Sequence, residues 1–246
     1  MSDSIREQII AAIVARVAII RTANGFVTDC GENVFRARKR IDAADLDAVS
    51  VFPRRESRAA HYGADMLTMP VDVQLIMAAP VVPSETEAAR STRVSQLIEK
   101  MLADGIEAMT GYRWSLPFTS GSREPVPGET IEGATSEATG LVESVTLTGG
   151  TWAGGNAAGT IKIRRRVGTF ASEVLNIGAY LDVCTIPGTV TAETCITLAT
   201  GGLADSVIYT GGGADEYPDP ADVTVGVVAS FEVAYPVKAG NPYAQP

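Results

Sequence analysis

From Asp222 to Tyr235 an apolar residue stands at every second position. Val223, Val225, Val227, Ala229, Phe231, Val233 and Tyr235 fall on one side of an extended backbone, opposite Thr224, Gly226, Ser230, Glu232 and a single Val228. Successive side chains of a strand point to opposite faces. The stretch therefore predicts a long, half-buried antiparallel strand with one face on a core and the other on water or another subunit. The tail that follows holds Pro236, Pro242 and Pro246, which predicts that the ladder stops at Tyr235. A strand so late in the chain needs a partner from much earlier. Met69, Val71, Val73, Leu75 and Met77, alternating with Pro70, Asp72, Gln74 and Ile76, supply the candidate.

Two stretches carry the helical period instead. Ile5, Ile9, Ile13 and Val17 recur at one turn, and Ile10, Val14 and Ile20 widen the stripe. Ser4 and Glu7 before them read as a capping box, hydroxyl and carboxylate each serving a backbone N–H. So wide an apolar surface fits burial on two sides, against its own sheet and a neighbouring subunit, or a well-covered helix of a monomer. The second helix is expected over about Thr86 to Met109, with Val94, Leu97, Ile98, Met101, Leu102, Ile106 and Met109 on one face. Its methionines fit gap-filling in a core.

Between these elements, Phe26–Thr28 and Val34–Arg38 read as a hairpin around Cys30-Gly31-Glu32. Val49, Val51 and Phe52 read as a short strand ended by Pro53. The basic run at 36–40 beside the acidic 41–48 is expected as a solvated face. Residues 54–66 break the alternation and are expected as a polar surface connector.

Near Leu116 the pattern changes. From Pro117 to Pro220 the chain is rich in Gly, Thr, Ser and Val, with turn signals between short strand candidates at Leu141–Thr148, Gly159–Arg165, Glu173–Ile177, Tyr180–Cys184, Cys195–Thr200 and Val207–Thr210. The expected fold class is α+β: an antiparallel or mixed sheet packed against two helices, formed by 1–116 plus 221–246, with a small all-β domain inserted at 117–220.

Composition narrows the function. The chain has 246 residues, 46% of them hydrophobic, enough to bury a real core. Its 20 Lys plus Arg against 29 Asp plus Glu give a net charge of -9, which argues against a surface that wraps nucleic acid. Repulsion from phosphates would suit a conduit that must let DNA pass, although acidity is also ordinary for a soluble protein. Cys30, Cys184 and Cys195 match no metal or redox spacing and fit free thiols in a reducing compartment. No signal peptide or apolar span of membrane length is read from the sequence, so no membrane partner is expected.

No catalytic motif is found: there is no Gly-rich phosphate loop, G-x-S-x-G elbow, H-E-x-x-H or paired cysteines. The expectation is a non-enzyme with no catalytic, cofactor or metal residues. His61, the sole histidine, is expected to be structural or incidental in its loop. Asp215, Glu216, Asp219 and Asp222 lack the ligand rhythm of a calcium loop and are expected to be solvated. Trp152, Tyr180 and Tyr209 offer stacking faces for a glycan, or a buried aromatic core.

Several pieces in this order carry a family resemblance. They are the N-terminal aliphatic helix, G-F-V-T-D-C-G-E-N-V-F-R-A-R at 25–38, V-S-V-F-P at 49–53, M-P-V-D-V-Q-L at 69–75, L-I-E-K-M-L-A-D-G-I-E at 97–107, and V-A-S-F-E-V-A-Y-P-V-K-A-G-N-P-Y at 228–243. Together they resemble the tail terminator, or tail completion, proteins of bacteriophages with long non-contractile tails, over about residues 4–116 and 221–246. The 150–161 and 168–178 stretches resemble short β repeats of phage structural proteins, an insert that many terminators lack.

The resemblance implies a ring, usually of six copies, at the head-proximal end of the virion tail. That ring caps the tail tube, stops its polymerisation and offers a surface to the head–tail connector, with DNA passing through the lumen unbound and assembly in the host cytoplasm. In it, 54–66 and 36–40 would contact the tube or adjacent subunits while the β module projects outward. The alternatives are a head–tail connector component, or a tail protein whose β insert binds a host-surface glycan.

Overall fold

A computed structural model of the chain describes residues 3–61, 64–80, 82–187, 191–193, 199–214 and 224–246. In chain order the elements are α1 (Ile5–Val17), β1 (Asn33–Arg36), β2 (Ala48–Pro53), β3 (Ser57–His61), β4 (Ala64–Ala78) and α2 (Glu87–Thr110). There follow β5 (Arg113–Gly121), β6 (Thr130–Gly133), β7 (Thr139–Gly149), β8 (Ala157–Val167), β9 (Ser172–Ile177), β10 (Tyr180–Pro187), β11 (Thr191–Glu193), β12 (Ser206–Gly213) and β13 (Thr224–Lys238). The fold is α+β. Its contacts divide into two units, one of Met1–Arg21, Val27–Thr110 and Cys195–Pro246, the other of Thr22–Phe26 and Gly111–Thr194.

In the first unit the two alternating stretches pair as expected. β13 runs antiparallel to β4 in unbroken register, from Thr224 opposite Ala78 to Lys238 opposite Ala64. The sheet order is β1-β2-β4-β13-β12, with β3 also on β4. Val71, Val73 and Leu75 of β4 and Val227, Ala229, Phe231, Val233 and Tyr235 of β13 are buried, with Ile9, Ile10, Ile13 and Val17 of α1 and Val94, Ile98, Met101 and Met109 of α2. Each buried Val, Leu, Ile, Met or Phe side chain contributes roughly 1.5–3 kcal/mol, so this one-sided burial fixes the register. Arg16 of α1 donates from Nε to the Ala108 carbonyl at 3.0 Å, satisfying one of the acceptors that the end of α2 leaves open.

Among the described residues Pro70, Pro117 and Pro236 lie inside strands, Pro70 and Pro236 where a neighbouring strand stops. Pro70 falls between the last pair of β2, Pro53 with Val71, and the first of β3, Ser57 with Thr68. Its carbonyl accepts from the Arg54 N–H at 2.8 Å, and the Arg54 carbonyl, which a residue with an N–H at 70 would have served, takes the Arg6 guanidinium at 3.3 Å. Pro236 extends the ladder beyond Tyr235, contrary to the expected stop. Ala234 directs its carbonyl to the β12 side, to the Asp205 N–H at 2.8 Å, so Pro236 faces the same side just past the end of β12. Pro117 of β5 lies between the pairings with β11 and with β10.

Other expectations are corrected. Residues 26–38 form no hairpin: β1 pairs in parallel with β2, and Phe26–Thr28 is not a strand. The reason is a 3-10 turn at Cys30–Glu32 in which Gly31 donates to the Ile20 carbonyl at 2.8 Å. A Cβ on Gly31 would lie 2.7 Å from the Val17 carbonyl, so the close approach requires glycine. The connector at 54–66 is half strand, since β3 folds back on β4 from Ser57 with Thr68 to His61 with Ala64. The capping box is half made: the Ser4 hydroxyl accepts from the Glu7 N–H, but the Glu7 carboxylate is held by Arg36.

The second unit begins at Gly111, not at Pro117, and the first sheet reclaims β12, whose residues were expected in the insert. Pro117 inside β5 obscures the first boundary. The Gly-rich end of β12 obscures the second. The antiparallel order is β10-β9-β6-β7-β8-β5, and Thr185 of β10 also pairs with Thr119 of β5, which closes the strands into a barrel. β11 follows β5 at Arg113–Ser115. Leu116, Phe118, Ile131, Val142, Ile161, Ile163, Phe170, Leu175, Ile177, Val183 and Ile186 fill the interior. Of the expected strand at Cys195–Thr200, Cys195–Leu198 lie outside the described residues and Ala199 and Thr200 are helical.

Candidate functional site

Among the described residues, no helix of the first unit lies on one face of its sheet. α1 and α2 supply the buried partners of the odd positions of β4 and β13, and the even positions form the other face. These are Met66, Thr68, Pro70, Asp72, Gln74 and Ile76 on β4 and Val228, Ser230, Glu232 and Ala234 on β13, all at least partly exposed among the described residues. Its chemistry is mixed. Asp72 accepts from Arg54 Nε and from the Ser230 hydroxyl, both at 2.7 Å, and the Arg54 guanidinium lies 5.7 Å from the Phe52 ring centroid. Lys39, Phe52, Arg54, Asp72, Gln74 and Val228 line a shallow depression of about 250 Å³ on this face. The arrangement presents fixed, paired charge between apolar patches, the composition of a polar protein–protein surface.

Toward β1 the face is partly covered. The Ser50 hydroxyl accepts from the Arg38 N–H at 3.1 Å and donates to the Arg38 carbonyl at 3.0 Å. The basic run and the acidic run after it close on each other, Arg38 pairing with Asp42 at 3.0 Å and with Asp45 at 2.8 Å while its guanidinium sits 4.4 Å from the Phe35 ring centroid. Arg36 is bidentate on Glu7 at 2.6 and 2.9 Å, and its guanidinium holds the Glu7 carboxyl below the usual range.

At the far end of the ladder the Tyr235 hydroxyl donates to Glu56 at 2.5 Å, and Glu56 lies 3.4 Å from Arg6. Burial, then the Glu56 carboxylate, push the Tyr235 phenol upward, so it stays a donor. Asp104, fully buried on α2, accepts from the Val27 N–H at 3.0 Å and from the Thr28 N–H and hydroxyl at 2.8 Å each.

In the barrel, two fully buried arginines stand at neighbouring positions of β5 and β8. Arg113 is bonded through Nε to Glu143. Arg164 donates to the Asn24 carbonyl at 3.3 Å and lies 3.9 Å from the Phe26 ring centroid. Arg164 anchors Thr22–Phe26 to the barrel. Glu173 accepts from the Thr135 and Ser136 N–H groups at 2.8 Å, from the Ser136 hydroxyl at 2.6 Å and from the Ala171 N–H at 2.9 Å. Burial opposes its charge, but these donors outweigh it and bring the carboxyl to about 2.

The residues weighed from sequence are placed as follows. His61 is in β3 rather than a loop. Asp215, Glu216, Asp219 and Asp222, and also Cys195, lie outside the described residues. Cys30 and Cys184 are buried, and burial raises each thiol to about 12. Trp152 stacks on Phe118 at 5.1 Å and Tyr209 packs on Phe231 at 5.7 Å in the other unit. Tyr180 is exposed, with Arg123 over its ring at 4.2 Å. Trp152 and Tyr209 each pack on an aromatic ring of their own unit. Sequence reading passed over Asp104, Glu173, Arg113 and Arg164. The signal for Asp104 was a carboxylate in the apolar 101–105–108 stripe of α2.

Comparison with protein-family models and with curated proteins finds no match. No helix among the described residues is long and apolar enough to cross a membrane.

Proposed function

We propose that the chain is a structural virion protein that forms a ring, of six copies by its resemblance to tail terminators, on the head-proximal end of a phage tail tube. It stops tube polymerisation and presents a surface for head–tail joining, while DNA passes through the lumen without specific binding. The observation that carries this reading is the sheet of the first unit. Its helices bury one face, and the opposite face, set with the Arg54–Asp72–Ser230 network, is at least partly exposed along β4 and β13 among the described residues of a single copy. A rigid, one-sided sheet is a suitable unit for heterologous contacts that close into a ring. The net charge of -9 suits a lumen that must not retain phosphates.

Imaging virions that carry a gold-labelled copy tests the reading. Label at the junction of tail tube and head connector, with tubes of uncontrolled length when the protein is absent, is the expected result. Label on the portal side with tube length unchanged would make the protein a connector component. Label at the distal tip would make it an adhesin.

A further inference from the structure

The sheet of the first unit ends in two edges that lack partners among the described residues, and they are complementary. On β1, Asn33 donates to the Asp47 carbonyl at 3.2 Å and Ala37 to the Val51 carbonyl at 2.9 Å, so these odd positions face β2. The alternation turns the N–H and C=O groups of Val34 and Arg36 outward. On β12, the residues paired with the even positions of β13 face inward, which turns the backbone groups of Val207 and Tyr209 outward. Folded proteins blunt such edges with charge or proline, yet β12, S-V-I-Y-T-G-G-G, carries neither on any residue. Ile208 is 55% exposed on it.

Direction and face decide what fits. β1 is parallel to β2, and each later neighbour in β2-β4-β13-β12 is antiparallel to the one before. β1 and β12 therefore run in opposite senses. A copy placed beside the first by a rotation that keeps the strand axis and the sheet faces brings its β1 antiparallel to β12 of its neighbour. Phe35, opposite Ser50, and Ile208, opposite Glu232, lie on the same open face of the sheet and would pack side by side across that junction.

We propose that copies join head to tail by sheet continuation, β12 of one copy adding to β1 of the next. The junction pairs four β1 residues, Asn33–Arg36, and buries Ile208 against Phe35. This rests on the ring reading and specifies its interface, whose partner is a second copy of this chain.

The experiment uses the full chain with Cys195→Ser, in two versions, Phe35→Cys and Ile208→Cys, each incubated with a short bis-maleimide. The expected result is a covalent dimer in the mixture of the two versions, at least tenfold above either version alone, and closed covalent rings from a chain that carries both cysteines. Ile208→Lys, on an exposed side chain that the monomer fold does not need, is expected to abolish assembly while leaving the melting temperature of the dilute monomer unchanged. Rings that form by light scattering but give no Phe35–Ile208 link overturn sheet continuation while leaving the ring standing. So does efficient linking of Ile208→Cys to itself, which would mean edge-to-edge dimers. A protein that stays monomeric at high concentration with tube protein present overturns both.

Discussion

Single side chains set the chemistry of each unit, and Glu173 is the sharpest case. A carboxylate that accepts four hydrogen bonds from the 135–136 and 171 backbone and the Ser136 hydroxyl is stabilised as the anion, so its folded value of about 2 lies below its unfolded one near 4.5. A depressed folded value contributes stability that is complete above the unfolded value and is lost as the pH falls toward the folded one. Denaturant titration of the full chain from pH 6 to about 2 is expected to show the barrel losing stability between about 4.5 and about 2. Glu173→Gln should cost roughly 2–3 kcal/mol at neutral pH and flatten that acid limb. An unchanged acid limb in the variant would put the acid-sensitive group elsewhere.

The thiols make the opposite case. With Cys30 and Cys184 buried and raised to about 12, a Cys195→Ser chain is expected to show no thiol reactive toward Ellman's reagent at pH 8 until denaturant is added. A rapid equivalent in the native protein would mean that one of the two sites opens. None of these environments was legible in the sequence, because a Glu or a Cys in a strand looks alike whether four donors or bulk water surround it.

At the scale of elements the period of the side chains carried most of the information. Both long strands, their pairing and the two helices follow from apolar spacing, because burial on one face leaves little freedom of register. What misled was proline and local capping. Pro236 is read from sequence as the end of a ladder and Pro117 as the start of the insert, but both lie inside strands, and Pro236 stands just past the end of β12, a fact only the assembled sheet contains. The parallel pairing of β1 with β2 was equally hidden, since a short apolar run between turn signals fits a hairpin as well.

Asp104 links these elements, holding the Val27–Thr28 backbone against the buried stripe of α2. Asp104→Ala leaves two N–H groups and a hydroxyl without their acceptor and is expected to destabilise the chain by about 3 kcal/mol in urea unfolding. Asp104→Asn, which keeps one acceptor oxygen, should recover part of that loss. A cost within about 0.5 kcal/mol for Asp104→Ala, the range of a plain surface substitution, would mean that water replaces the carboxylate freely.

For the whole molecule, the change of composition near Leu116 correctly announced a second, all-β unit inside an α+β chain. Its edges were misplaced because composition shifts at Pro117 while the barrel begins with β5, and because glycine-rich β12 resembles the insert but pairs with β13. The polar face of the first sheet was legible in the alternation of β13, but the two edges without partners among the described residues were not, since strand order is a property of the assembled sheet. They are the features on which the proposed self-assembly rests. Multi-angle light scattering of the purified full chain, alone and with tail tube protein, tests that claim most directly. The expected result is one species of six times the chain mass, formed or stabilised by the tube protein. A single monomeric species across the whole concentration range, with and without tube protein, would contradict it.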